Sequence, residues 1–166
     1  MPALAAFVAF VYGLNRWIGR AAAWLILASV LICASVAIAR YFLGFGRIWM
    51  QEAYIVAFGV SFMLIAGYAY ALNTHVRVDL VQKSLSPRMR ARLEIFGVVV
   101  FLLPWLALVA WSSASFVSVS WRVLEASPQP GGLPGLFLVK SVIPAFCVLL
   151  ALQGLAKIGA SLLILG

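Results

Sequence analysis

The sequence predicts an all-α integral membrane protein with four transmembrane helices and interfacial amphipathic segments. Of its 166 residues, 66% are hydrophobic and only 10% are charged, and the mean hydropathy is +1.12, which excludes a water-soluble globule of this length. Four apolar runs are long enough to cross a bilayer, because about 20 helical residues span the ~30 Å hydrocarbon core. The predicted spans, all in one membrane domain, are residues 21–39, 53–72, 95–121 and 137–157.

The N-terminal segment, residues 1–15, is apolar but has no basic residue ahead of it. A cleaved signal peptide is therefore not expected, because its charged n-region is missing. We expect instead a helix that lies at or dips into the membrane interface and ends at Asn15–Arg16. After the first span, the aromatic residues of the segment 41–49 predict a loop that lies along the membrane surface.

The second span carries a stripe of small residues, mostly four positions apart. Such a stripe lets a neighbouring helix approach closely, so we expect this span to pack against protein. The stripe comprises Ala53, Ala57, Ser61, Gly67 and Ala71.

The segment 73–94 is the most basic part of the chain. Apolar residues recur in it every four positions, opposite the arginines, and predict an amphipathic segment at the membrane surface. Ser86 and Pro87 interrupt this segment. Serine as N-cap and proline at the first helical position predict that a new helix starts here and continues into the membrane.

The third and fourth spans are expected to be tilted or kinked. Residues 95–121 would form a helix of ~40 Å, longer than the hydrocarbon core is thick, so tilt is expected. Pro104 and Pro144 each remove a backbone donor and predict kinks. Between the two spans, residues 122–136 contain three prolines and three glycines, which predict a structured turn.

The charges around this turn leave two interpretations open. Glu125 follows the third span and Lys140 begins the fourth, so the turn can bring them together as an ion pair, or they can be two unrelated charges in contact with water. Lys140 and Lys157 lie near opposite ends of the fourth span, and we expect their side chains to snorkel toward opposite interfaces.

The distribution of basic residues predicts the orientation. Eight lie on one side of the predicted spans and four on the other, so the positive-inside rule puts both termini in the cytoplasm and the Pro/Gly-rich turn outside. The net charge of +8 comes from these loops and does not indicate nucleic-acid binding. The larger set is Arg16, Arg20, Arg77, Lys83, Arg88, Arg90, Arg92 and Lys157; the smaller is Arg40, Arg47, Arg122 and Lys140.

No residue pattern predicts a catalytic, cofactor or metal site, so an enzyme is not expected. The chain has one histidine and four scattered carboxylates, without the spacing of metal ligands. His75, Arg77 and Asp79 can anchor a membrane end, either along an extended segment or with the histidine and aspartate paired in a helix. Glu52 is either a water-contacting carboxylate at a helix start or a proton or ion site.

Six motifs in chain order resemble a known family. They are Trp49-x-x-Glu52, His75-Val76-Arg77-Val78-Asp79, Trp121-x-x-x-Glu125-x-Ser127, Gly131-Gly132-Leu133-Pro134, Lys140 and Leu152-Gln153-Gly154. Together these motifs, over roughly residues 40–157, resemble the small membrane subunit (DctQ type) of tripartite ATP-independent periplasmic (TRAP) transporters.

The resemblance implies a subunit without a catalytic site in the bacterial inner membrane. Its implied partners are a large membrane subunit with the substrate and sodium sites, a periplasmic substrate-binding protein and membrane lipids. The implied function is scaffolding and docking during sodium-driven uptake of an organic acid. Two alternatives remain: a small multidrug-type exporter, which would need a carboxylate deep inside a span, and the membrane anchor of a redox complex, which would need haem or quinone ligands.

Overall fold

The computed structural model describes residues 2–72 and 85–165, and all its regular structure is helical. Four helical stretches are long and apolar enough to cross a membrane, as the sequence predicts. The first is α1 (Pro2–Leu43) and the second is α2 (Ile48–Ala71). The third joins α3 (Pro87–Gly97), a π-helical turn (Val98–Leu102) and α4 (Leu103–Arg122), and the fourth joins α5 (Leu136–Lys140) and α6 (Val142–Leu165).

Helix α1 is continuous over 42 residues, or ~63 Å. The expected end at Asn15–Arg16 is therefore wrong. Asparagine often ends helices because its side chain competes for backbone groups, but here the Nδ2 of Asn15 donates to the carbonyl of Val11 in its own helix, at 3.3 Å. The same nitrogen donates to the Oε1 of Gln153 on α6, at 2.9 Å, so the side chain is held without a break in the helix.

The loop between α1 and α2 is shorter than predicted. Only residues 44–47 are non-helical, whereas the sequence predicts a surface loop over 41–49. Gly44 makes the turn possible with a φ of +61°, and the amide of Phe45 donates to the carbonyl of Ala39 at 3.1 Å. The aromatic residues before the turn therefore remain on the last turn of α1.

Helices α1 and α2 form an antiparallel pair through small residues. A Cβ at Gly19 would lie 2.6 Å from the side chain of Tyr68, and the hydroxyl of Ser29 donates to the carbonyl of Tyr54 at 2.8 Å. On the predicted small-residue stripe, Ser61 and Gly67 are buried. The prediction that this span packs against protein is confirmed.

The third stretch starts as the sequence predicts. Ser86 is the N-cap of α3, its hydroxyl accepts from the amide of Met89 at 3.3 Å, and Pro87 is the first helical residue. The π-helical turn ends two residues before Pro104, where proline removes one backbone donor. A bend of the helix axis at this point remains a prediction.

The fourth stretch is interrupted at Ser141, three residues before Pro144, and its long part, α6, contacts all the other long helices. A Cβ at Gly154 would lie 2.9 Å from Leu102, which shows how closely the third stretch approaches. Cys147 is buried here, whereas Cys33 on α1 is exposed.

Candidate functional site

The ion pairs among the described residues lie at the two ends of the bundle. We call the end that carries residues 123–135 the turn end, and that segment the turn. At the turn end, Glu52 in the first part of α2 contacts the turn with both carboxylate oxygens. Its Oε1 accepts from the hydroxyl of Ser127, and its Oε2 accepts from the amide of Leu133 at 2.7 Å. Two motifs that are far apart in sequence thus form one structural unit.

The turn is also bonded internally. The amide of Ser127 donates to the carbonyl of Leu133 at 3.0 Å, and the amide of Gly132 donates to the carbonyl of Gln129 at 2.9 Å. Gly131 has a φ of +75°, a conformation that favours glycine. Gly132 is needed for a different reason, since a Cβ there would lie 2.7 Å from Glu52 Oε2 and 2.5 Å from the Cβ of Ser127. The glycines let the turn close onto the glutamate.

The ion pair between Glu125 and Lys140 is present, so the interpretation as two unrelated charges is wrong. The Nζ of Lys140 donates to Glu125 Oε2 at 2.5 Å and lies 3.8 Å from the ring centroid of Phe116. The side chains are 35% exposed for the glutamate and 14% for the lysine, so the lysine is not turned out to water as expected. The hydrogen bond from Lys140 lowers the pKa of Glu125 below its ordinary value of 4.5.

Trp121 ties the end of α4 to the start of the fourth stretch. Its Nε1 donates to the hydroxyl of Ser141 at 2.7 Å, and its ring meets Phe137 edge to face with centroids 4.8 Å apart. Trp49, in the first turn of α2, is 46% exposed. Trp121 is exposed to nearly the same degree, 47%, so its contacts with Ser141 and Phe137, and not its burial, connect the two helical stretches.

The opposite end of the bundle contains a second ion pair. The Nζ of Lys157 donates to the Oε1 of Glu94 at 3.0 Å and lies 4.0 Å from the ring centroid of Tyr70. The lysine side chain is only 4% exposed, so the expectation that it snorkels to water is wrong. The physical reason is that α3 and α2 place a carboxylate and an aromatic ring beside α6 at this level.

Asn15 and Gln153 form a buried polar contact near this end. Both residues are 0% exposed, and the asparagine Oδ1 lies against Gly67, where a Cβ would collide with it. The contact joins α1, α2 and α6 at one point. Sequence reasoning missed Asn15, although an asparagine inside an apolar run could have pointed to an interhelical hydrogen bond.

The structure brings most of the predicted site residues together at the turn end. Gln153 lies instead toward the opposite end, and His75, Arg77 and Asp79 lie outside the described residues. No group of three or more possible metal ligands occurs among the residues described. The predicted residues at the turn end are Trp49, Glu52, Trp121, Glu125, Ser127, Gly131, Gly132, Leu133, Pro134 and Lys140.

Comparison with known proteins gives one family. Searches of curated proteins and of solved structures found no match. A family model described as "Tripartite ATP-independent periplasmic transporters, DctQ component" matches residues 28–163. This range includes the turn, all of the second and third helical stretches, the fourth except its last two residues, and α1 only from residue 28 onward. The chain therefore belongs to the DctQ family, the small membrane component of tripartite ATP-independent periplasmic transporters.

Proposed function

We propose that this chain is the small permease subunit of a TRAP transporter in the bacterial inner membrane, with both termini in the cytoplasm. It acts as a scaffold for the large substrate-translocating subunit and helps to dock the periplasmic binding protein. The complex takes up an organic acid and is driven by sodium. Family membership supports the subunit assignment, and the eight-to-four distribution of basic residues supports the orientation.

The observation that carries the scaffold role is that the carboxylates are bonded to other parts of the chain. All three carboxylates in the described part of the chain are bonded to other helices or to the turn: Glu52 to Ser127 and Leu133, Glu94 to Lys157, and Glu125 to Lys140. Carboxylates that belong to a sodium or proton pathway change partners inside the membrane. These carboxylates instead fix helix positions, which supports a rigid subunit.

The turn supports the docking role because it is held by hydrogen bonds and is exposed. Glu52 on α2 accepts a hydrogen bond from the turn, and the ion pair of Glu125 and Lys140 connects the start of the turn to the fourth helical stretch. Pro128 and Gln129 at its tip are exposed. A surface that is ordered before binding loses less conformational entropy when a partner binds, which favours affinity.

Site-specific photocrosslinking tests this proposal. A photoreactive amino acid at Gln129 should crosslink to the large subunit or the binding protein in membranes that contain the complete transporter. The same amino acid at Arg88, an exposed residue of α3 at the opposite end, is the matched control and should not crosslink to the binding protein. Crosslinks to the binding protein from Arg88 alone would contradict both the orientation and the docking role.

A further inference from the structure

A polar pocket lies beside the first turn of α2 at the turn end. It is formed by the last part of α1, the loop 44–47 and the start of α2, and has a volume of about 320 Å³. Its lining comprises Val36, Arg40, Gly44, Gly46, Arg47, Ile48 and Gln51.

Both arginines of this pocket are positioned by the loop. The stem of Arg40 packs against Gly46, where an added Cβ would lie 3.2 Å from the arginine Cγ. The guanidinium carbon of Arg47 lies 5.4 Å from the ring centroid of Phe45. Among the residues described, neither arginine forms an ion pair with a carboxylate. Two arginines thus line one pocket that has no carboxylate among its described lining residues.

The chemistry of the lining favours a phosphate group. Arginine presents several N–H donors in a planar fork that matches phosphate oxygens, and the amide of Gln51 adds a further donor. Val36 is only 8% exposed and gives the pocket an apolar wall. Tyr41 and Phe42, the residues directly after Arg40, are 92% and 82% exposed, as is typical of aromatic residues at the headgroup level of a membrane.

We propose that this pocket binds the phosphate of an anionic phospholipid headgroup. The two arginines contact the phosphate, and the exposed aromatic residues beside them contact the glycerol and upper acyl region of the same lipid. A lipid is the favoured source because apolar side chains of α1 close to Arg40 in sequence, those of Ile38 and Leu43, are exposed and can contact acyl chains. The proposal does not depend on the transport function of the complex.

Native mass spectrometry of the full chain in detergent tests the proposal, with phosphatidylglycerol as the probe and phosphatidylcholine as the neutral comparison. Phosphatidylglycerol should bind more tightly, and the double variant Arg40→Gln with Arg47→Gln should weaken its binding about tenfold or more. The matched control, Arg88→Gln with Arg92→Gln, removes the same charge at the opposite end. It should leave the affinity of the tightest-bound phosphatidylglycerol unchanged.

A third variant separates the pocket from general electrostatic attraction. Gln51→Trp fills the pocket without changing the charge, and it should also abolish tight binding of phosphatidylglycerol. Equal losses in the two arginine double variants, or tight binding retained in Gln51→Trp, would overturn the proposal. Displacement of the lipid by inorganic phosphate at equal concentration would assign the pocket to a free anion and would overturn the lipid as its occupant.

Discussion

Gly132→Ala should open the turn, because the new methyl group would occupy space that Glu52 and Ser127 already fill. The φ of Gly132 is not positive, so alanine is compatible with the backbone and the cost is steric alone. The Cβ would lie 2.7 Å from Glu52 Oε2, the atom that accepts from Leu133. Overpacking of this kind costs about 1–3 kcal/mol. A local cost of about 2 kcal/mol corresponds to a roughly 30-fold change in the opening equilibrium.

Hydrogen–deuterium exchange of the turn measures this effect directly. The amide of Leu133 is protected by its bond to Glu52 and should exchange roughly 30-fold faster in Gly132→Ala. Gly59→Ala is the matched control, since no atom lies within 4 Å of a Cβ at that position in α2. The control should leave exchange of the turn unchanged and be neutral or slightly stabilising. Equal exchange in Gly132→Ala and the parent would refute the close contact between the turn and Glu52.

Three further predictions follow from the ion pair, the buried amides and the charge distribution. Because the pKa of Glu125 is lowered, the contribution of its ion pair is fully present above pH 4.5 and is lost as the pH falls through that lowered pKa. Glu125→Gln should therefore weaken protection of the turn at neutral pH, and its difference from the parent should disappear in acid; a difference that persists would count against the pair. Asn15→Leu and Gln153→Leu should show a coupling free energy of about 0.6 to 1.7 kcal/mol in a double-mutant cycle of unfolding, whereas strict additivity would mean that their contact contributes nothing. Single cysteines at Arg88 and Gln129, in a background without native cysteines, should be labelled from the cytoplasmic and periplasmic sides respectively, and the reverse labelling would contradict the orientation.

The features that the sequence predicted well are local in the chain. The cap by Ser86 depends on residues within one turn of helix. The pair of Glu125 and Lys140, one of the two interpretations that the sequence leaves open, depends on a turn whose prolines and glycines fold it back within 15 residues. Membrane spans are predictable for the same reason, because the length and composition of an apolar run are read from consecutive residues.

The features that the sequence did not predict depend on long-range packing. Glu52 and Ser127 are 75 positions apart, and no spacing rule relates them before the helices are assembled. The sequence predicts a helix end at Asn15 because the partner that holds its side chain, Gln153, lies 138 residues away and cannot be recognised from the local sequence. The sequence predicts that Lys157 reaches water because its partner Glu94 lies 63 positions away, and only helix packing brings the two side chains together.

The role as a dependent scaffold is tested most directly by solute uptake into proteoliposomes. The chain should be reconstituted alone, and again with the large subunit, the binding protein and an inward sodium gradient. We predict no uptake of organic acids by the chain alone, no uptake by the large subunit and binding protein without it, and sodium-dependent uptake by all three together. Uptake by the chain alone, or full uptake without it, would contradict the account.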